Sequence, residues 1–226
     1  EPLVRHPERA AGVQVGWQVG PAGCAQPVDG RRQSRWPGDD GALRVVEVDD
    51  DGTEHVGGDA SPDELAWASR WWPTTRPGDR VEVGLPRERA WADLLARADG
   101  SLLLAVDYSH DRLSRPSAGT LVGYRDGRAV PPVADGSCDI TAHVALDALA
   151  GAGVRTSQRR ALQALGVDAA RPAAALATTD PMGYLAALAR AGEAAELLDP
   201  DGLGGFGWLV LSRGPTLPAA LRLLDP

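Results

Sequence analysis

The sequence predicts an α/β fold, and three observations support this class. Short β-like runs alternate with helix-like segments along most of the chain, as they do in α/β domains. One run, SLLLAVDY at residues 101–108, is apolar until it ends in polar residues, which is typical of a central parallel strand buried on both faces. The chain has 226 residues, of which 43% are hydrophobic, so it can form a packed core.

The first predicted elements follow a segment of different composition. Residues 1–41 are dense in Gly, Pro, Arg and Gln without a sustained period, which indicates a poorly ordered or loosely attached segment. From Ala42 onward, ALRVVEVD and GTEHVGG predict a hairpin around the acidic turn DDDG. SPDELAWASRWW predicts a helix with Ser61 as its N-cap, Pro62 at its first position and Glu64 completing a capping box.

The middle of the chain predicts a further strand, a helix and a second hairpin. DRVEVG is a short strand, and PRERAWADLLARA is an amphipathic helix with Trp91, Leu94, Leu95 and Ala98 on its apolar stripe. GTLVGY and AVPPV flank RDGR and predict the hairpin. TAHVALDALAGAG predicts a helix that its glycines end.

The last part of the chain predicts two strands and two or more helices. VRTS is a strand that leads into the helix QRRALQALG, whose first residue is Gln158. DPMGYLAALARAGEAAELLD predicts one long helix or two, and GFGWLVLS the final strand, before a tail at residues 214–226. We expect four tryptophans to pack in the core rather than to form a recognition cage: Trp67, Trp71, Trp72 and Trp91.

Composition argues against several classes of partner. The formal net charge is −8 and no basic block occurs, so we expect neither nucleic acid nor an anionic membrane as a partner. No apolar run reaches membrane-spanning length. Cys24 and Cys138 lie far apart, so they predict no metal site and no disulfide framework, and a cytoplasmic location is expected. We expect Cys138 to be a small buried residue rather than a nucleophile.

The polar end of SLLLAVDY provides the first candidate site residues. Residues at the carboxyl end of a central strand face the ligand crevice of an open α/β sheet, which favours Asp107 and Tyr108. The alternative is that Asp107 caps the following turn. A small hydrolase using Asp107, His110 or His143 is a weaker hypothesis, because neighbours on an extended segment point to opposite sides and no nucleophile elbow occurs.

Two further segments carry candidate residues with open alternatives. In CDITAHV, Asp139 or Thr141 could cap a helix with His143 packed in its first turn, or Asp139 could orient His143 or a substrate amine. Tyr124, at the end of GTLVGY, could close over a substrate or fill the buried face of the hairpin.

Four motifs in order give the chain a family resemblance. LLLAVDYSH, GTLVGYRDGR, CDITAHVALDAL and TSQRRALQALG resemble the C-terminal half of the MidA-type S-adenosylmethionine-dependent methyltransferases. RWWP and PGDRVEVGLPRERAWADLL resemble the bacterial branch of that family. The resemblance covers residues 42–213, with Ser109 in place of the family's Gly after Asp-Tyr.

The resemblance implies a partial class I methyltransferase sheet of Rossmann-like form with a hairpin-rich insertion. It implies S-adenosylmethionine as the cofactor and a protein side chain as a possible methyl acceptor. It also implies that the segment of Asp139, Thr141 and His143 lies near the substrate pocket. The catalytic candidates are therefore Asp107, Tyr108, Asp139 and His143, and the substrate-binding candidates are Tyr124 and Thr141.

The N-terminal part departs from the family pattern. The chain contains no Asn and therefore no Asn-Glu motif, and VGPAGCA at residues 19–25 lacks the third Gly of a cofactor loop. We therefore expect residues 1–41 to lie outside the family, the chain to be incomplete, and its binding of S-adenosylmethionine to be weak. The alternative is a non-catalytic remnant or interaction module that binds a partner through an unpaired sheet edge.

Overall fold

A computed structural model of the chain describes residues 42–224, except 50, 51, 75, 150 and 152, together with the backbone of residues 14–16 and 31–37. The strands of this part of the chain are β1 (Gln14–Gly16), β2 (Arg31–Pro37), β3 (Leu43–Val48), β4 (Glu54–Asp59), β5 (Val81–Glu82), β6 (Leu102–Asp107), β7 (Ser109–His110), β8 (Val122–Arg125), β9 (Arg128–Val130), β10 (Asp139–Thr141), β11 (Val144–Ala145), β12 (Val154–Ser157) and β13 (Gly207–Ser212). Its α-helices are α1 (Pro62–Trp71), α2 (Leu85–Arg97), α3 (Gln158–Ala164), α4 (Ala174–Thr179), α5 (Pro181–Leu198) and α6 (Ala219–Arg222). The chain is thus mixed α/β, with several sheets.

The largest core surrounds a four-stranded sheet in the order β1-β6-β13-β12, which we call the main sheet. β6 is parallel to β1, and β13 is antiparallel to both β6 and β12. Strands β1, β6 and β12 therefore run in one direction, and their carboxyl ends share one edge of the sheet. We call this edge the site edge.

Helices pack on both faces of the main sheet because its strand residues alternate between the faces. On one face, Trp91 of α2 packs with Leu103 and Leu209. On the other face, Ala161 of α3 packs with Val210. Trp91, Leu209 and Val210 are at most 1% exposed, so this layered core is dry at its centre.

Strand β6 is central, as predicted, but its neighbours and its burial differ from the prediction. It lies between β1 and β13, but only its β1 neighbour is parallel. Leu103 and Ala105 are each 2% exposed, whereas Leu102 is 36% exposed. The expectation of a strand fully buried on both faces is therefore wrong, because only one of its faces is fully covered.

The predicted hairpins and the capped helix are confirmed. β3 pairs with β4 and β8 pairs with β9, each antiparallel, and the second turn is closed by Asp126 and Gly127 with positive φ. Ser61 accepts the Glu64 N–H and the Glu64 side chain accepts the Ser61 N–H, which is the predicted capping box at the start of α1. The predicted strands β5, β12 and β13 and helices α2, α3 and α5 are also present.

The predicted helix at residues 138–149 is wrong. The segment forms strand β10, which is antiparallel to β8, and strand β11, which is parallel to β7. Only Leu146–Ala148 are helical, as a single 3₁₀ turn. Asp139 and Thr141 therefore cap no helix, because their backbone groups pair with a strand that precedes them in the chain.

The segment predicted to be loosely attached contains β1 and β2, which pair with β6 and β3. VGPAGCA and Cys24 lie outside the described residues, and the predicted domain boundaries stay a prediction. No helix among the described residues combines the length and apolar character that a membrane crossing needs.

Candidate active site

The site edge aligns residues from three strands. The strand register places Asp107 opposite Gly207, and Gly207 opposite Ser157. Asp107 and Ser157 are the last residues of β6 and β12, two of the strands that run in the same direction. The carboxyl ends of such strands line the ligand crevice in open α/β sheets, so this edge is where a ligand is expected.

Asp107 is a half-buried carboxylate with an unusual pKa. Burial raises the pKa of Asp107 from 3.8 to about 6, while a hydrogen bond from the Tyr108 N–H and the positive charge of Arg87 offset part of that rise. The Tyr108 N–H donates to Oδ1 at 2.8 Å and leaves Oδ2 unused by that bond. At neutral pH, Asp107 is thus a carboxylate with a greater tendency than usual to accept a proton.

Three aromatic side chains lie beside Asp107, and we call them the aromatic ledge: Tyr108, His143 and Phe206. The ring of Tyr108 stacks on that of His143 with centroids 5.4 Å apart and meets that of Phe206 edge-on at 4.5 Å. Tyr108 is 50% exposed, so the ledge presents ring surface to solvent. Such a surface next to a carboxylate suits a cationic or planar ligand.

Gly207 lets β13 pack closely against Ser109 of β7 and Leu146 of the 3₁₀ turn. A Cβ on this residue would overlap the Ser109 Oγ and would lie 2.5 Å from Leu146 Cδ1. Any larger residue would therefore have to displace these two side chains or move β13 away from them.

The main chain of His143 is fixed by two side chains. Its N–H donates to Thr120 Oγ1 at 2.8 Å, and its carbonyl accepts from Arg87 Nη1 at 3.0 Å. Burial lowers the pKa of the His143 ring; the Glu82 charge opposes this effect and the Arg87 charge adds to it. His143 is therefore predominantly neutral at neutral pH.

Glu82 is a buried carboxylate behind this site. It is 8% exposed, and its Oε1 accepts the backbone N–H groups of Thr120 and Leu121 at 2.5 and 2.8 Å. Its Oε2 accepts the Thr120 hydroxyl. Three donors compensate the cost of burying this charge.

A second group of polar residues lies deeper, and we call it the buried cluster: His110, Arg115 and Asp147. The Arg115 and Asp147 side chains are 6% and 9% exposed and form an ion pair. Arg115 also donates to His110 Nδ1 at 2.5 Å and to the Trp71 carbonyl at 3.0 Å. The buried cluster thus joins the end of α1 to β7 and to the 3₁₀ turn.

The protonation state of His110 follows from its partner. Arginine has only donors, so Nδ1 must accept and the ring is neutral with its proton on Nε2. Burial lowers the pKa of His110 to about 4, and the Arg115 charge contributes to this. Nε2 is buried without a hydrogen-bond partner among the described residues.

The structure brings together three of the six site residues predicted from sequence. Asp107, Tyr108 and His143 lie at the site edge. Asp139 and Tyr124 instead face each other across β10 and β8, and both are exposed. Tyr124 is 44% exposed, so it does not fill a buried face of the hairpin as the alternative interpretation proposed.

The other residues singled out in the sequence lie away from the site edge or have packing and hydrogen-bonding roles. Thr141 is half-buried and pairs with Val122. Cys138 is half-buried, with its Sγ 3.5 Å from the Val133 nitrogen and oxygen. Gln158 begins α3 as predicted and accepts a hydrogen bond from the Trp208 indole at 3.3 Å. Of the four tryptophans predicted to lie in the core, Trp67, Trp72 and Trp91 are at most 4% exposed. Trp71 is half-buried.

The sequence interpretation missed Glu82, Arg87, Arg115 and Phe206. Glu82 carried no usable signal, because the alternation Val-Glu-Val predicts a glutamate that faces solvent, and its burial is visible only in the structure. Arg87 and Arg115 carried none, since arginine supplies all 23 basic residues of the chain and marks no position.

The fold and the site define an α/β protein with a carboxylate and an aromatic ledge at the carboxyl ends of its parallel strands. A family of proteins described as "Putative S-adenosyl-L-methionine-dependent methyltransferase" matches residues 31–165. This is more than half of the chain, and the chain belongs to this family. The match begins at residue 31, whereas the sequence motifs predict it from residue 42.

Two solved structures from Burkholderia thailandensis are similar to the chain. One is an uncharacterized protein, with a TM-score of 0.62 and 22% identity over 85% of this chain and 55% of that one. The other is described as a "likely methyl transferase" bound to S-adenosyl-homocysteine, with a TM-score of 0.62 and 23% identity over 87% of this chain and 53% of that one. The chain spans about half the length of each. No curated protein sequence matches it.

Proposed function

We propose that this chain is a MidA-type S-adenosylmethionine-dependent methyltransferase that acts on a protein side chain. The observation that carries the proposal is the contact of Tyr108 with His143 and Phe206 beside Asp107, at the carboxyl edge of the parallel strands. The family membership supports the reaction type.

The described residues at the site edge fit the reactive end of the cofactor. A sulfonium cation is attracted by a carboxylate and by aromatic ring faces, and Asp107, Tyr108 and Phe206 provide both. These three residues would hold that end of the cofactor. The fit concerns the reactive end alone, because VGPAGCA lies outside the described residues.

S-adenosylmethionine supplies an activated methyl group when bound, so the protein needs mainly to align the acceptor. An N–H or O–H acceptor loses a proton as it gains the methyl group, and Asp107 Oδ2 receives that proton. The raised pKa of Asp107 suits this role at neutral pH. The stacked rings of Tyr108 and His143 would lie along one side of the acceptor.

The exposure of Tyr108 supports a large substrate. Half of this side chain is open to solvent, so the reacting group of a protein side chain can reach it without entering a closed cavity. Asp139, Thr141 and Tyr124 lie on the neighbouring sheet of β8, β9 and β10. In this proposal they contact the substrate beyond its reacting group.

A nuclear magnetic resonance titration of the full chain with S-adenosylhomocysteine tests the proposal. We expect weak binding, with a dissociation constant of about 1 mM, that shifts the signals of Tyr108 and Phe206. In a parallel titration with S-adenosylmethionine, which carries the sulfonium charge, Asp107→Asn should weaken binding, whereas the exposed control Asp99→Asn should not. Unchanged signals in the millimolar range would contradict the proposal and favour the non-catalytic module.

A further inference from the structure

The hydroxyl of Thr120 lies between the buried carboxylate of Glu82 and the backbone of His143. A carboxylate can only accept, so the Thr120 hydroxyl must donate its single proton to Glu82 Oε2. Its lone pairs then remain to accept the His143 N–H at 2.8 Å. The direction of both hydrogen bonds is therefore set by chemistry.

The segment that carries Thr120 is shaped for this contact. Gly119 has φ +75°, and a Cβ there would lie 2.8 Å from Glu82 Oε1. Only glycine lets the chain turn at this point and bring the Thr120 and Leu121 N–H groups onto the carboxylate. Glu82 thus fixes Thr120 and Leu121 against β5.

His143 lies between β10 and β11, outside any strand ladder. Side chains from distant segments take the place of a ladder there: Thr120 holds its N–H and Arg87 holds its carbonyl. Its ring is the one that stacks on Tyr108. The Thr120 contact therefore helps to place that ring, together with the Arg87 contact and the hydrogen bond from the neighbouring Val144 N–H to the Tyr108 carbonyl.

We propose that Glu82 and Thr120 are positioning residues that hold the ring of His143 against Tyr108 in the candidate active site. The effect on catalysis rests on the proposed function, since an acceptor can bind at the ledge only while the two rings stay together. The position of the His143 ring can be measured without cofactor or substrate.

The test compares Thr120→Val with Thr120→Ser in the full chain. The Tyr108 ring shifts the proton resonances of a ring stacked on it, so the His143 ring signals report the contact. We expect Thr120→Val to move these signals toward those of Tyr108→Ala, which lacks the neighbouring ring. Thr120→Ser keeps the hydroxyl and should retain the wild-type signals.

Two further variants keep the test decisive. Thr156→Val removes a buried hydroxyl that has no hydrogen-bond partner among the described residues, and it should leave the His143 signals unchanged. Glu82→Gln removes a negative charge that raises the pKa of His143, so this pKa should fall further; the positive charge of Arg87 remains and also lowers it.

Folded Thr120→Val with wild-type His143 signals would overturn the proposal, as would Thr120→Ser behaving like Thr120→Val. Failure of the proposed function has a different signature. In that case the His143 signals respond to Thr120→Val as expected, but S-adenosylhomocysteine shifts no signal of the wild-type chain.

Discussion

Tyr108 and His110 are two residues apart in the sequence but belong to regions with opposite properties. Tyr108 is 50% exposed and lies in the aromatic ledge, next to a carboxylate with a raised pKa. His110 is 8% exposed and lies in the buried cluster, where Arg115 fixes its protonation state. Both regions contain charged groups and a histidine, but only the ledge is open to a ligand. The difference shows that polar residue types do not identify a site until their burial and partners are known.

The largest expected effect comes from breaking the buried cluster. Arg115→Met leaves Asp147 charged and buried without its partner, so we expect a loss of about 3–5 kcal/mol in the free energy of unfolding. The exposed pair of Arg213 and Asp99 is the matched control, and Arg213→Met should cost no more than about 1 kcal/mol. Chemical denaturation measures both. Equal losses would show that the buried cluster has no special structural role.

A smaller loss of stability is expected from substitution of Gly207, where β13 packs against Ser109 and Leu146. Gly207→Ala places a methyl group against Ser109 and Leu146, so we expect a cost of about 1–3 kcal/mol. Adding Ser109→Ala should recover part of it. Gly192→Ala on α5 adds a methyl group that meets no atom of another element within 4 Å, so it should instead stabilise the protein by up to about 1 kcal/mol. A neutral Gly207→Ala would contradict the close approach.

Truncating a side chain of the ledge should reduce the free energy of unfolding less than truncating a nearby core side chain. Tyr108→Ala loses an edge-on ring contact of about 0.5–1.5 kcal/mol. Leu103→Ala, at a position 2% exposed in β6, should cost about 2–5 kcal/mol. Tyr108→Ala should nevertheless abolish the response of the Phe206 signals to S-adenosylhomocysteine. Retention of that response would exclude Tyr108 from the site.

Asp107 and His110 contribute to the pH dependence of stability with opposite signs. The folded-state pKa of Asp107 is about 6, above its ordinary 3.8, so Asp107 contributes stability below about pH 4 that is lost as the pH rises to about 6. The folded-state pKa of His110 is about 4, below its ordinary 6.5, so its contribution grows as the pH rises through the same range.

The variant Asp107→Asn removes the first of these opposing contributions. Its free energy of unfolding should therefore increase more steeply than that of the wild type between pH 4 and pH 6.5. Denaturation curves at several pH values measure this difference. Parallel curves for the two proteins would show that Asp107 has an ordinary pKa.

Elements with local signals were predictable from the sequence. The capping box of Ser61 and Glu64 is complete within four residues, and the second hairpin is marked by its Asp-Gly turn. The apolar run of β6 also identified a central strand and placed Asp107 and Tyr108 at its end. These features succeed because the residues that stabilise them are near neighbours in the chain.

The helix prediction for residues 138–149 was wrong for the opposite reason. Their alanines and leucines favour a helix, but Asp139–Thr141 pair with β8, and Val144–Ala145 pair with β7, about 35 residues earlier. The Val144 N–H donates to the Tyr108 carbonyl at 2.8 Å, which brings His143 to the ledge. Pairing with distant strands outweighed a helix propensity worth only tenths of a kcal/mol per residue.

The sequence by itself determined the α/β class, the strand that ends in Asp107 and Tyr108, and the family resemblance, because each depends on residues close together in the chain. Only the tertiary structure decided that His143 stacks on Tyr108, that His110 is buried beneath it, and that Glu82 acts behind Thr120. Those contacts join strands β5 and β7 to three residues that lie between strands and far apart in the sequence: Tyr108, Thr120 and His143. Their energies depend on burial and geometry, which no local pattern of residues records.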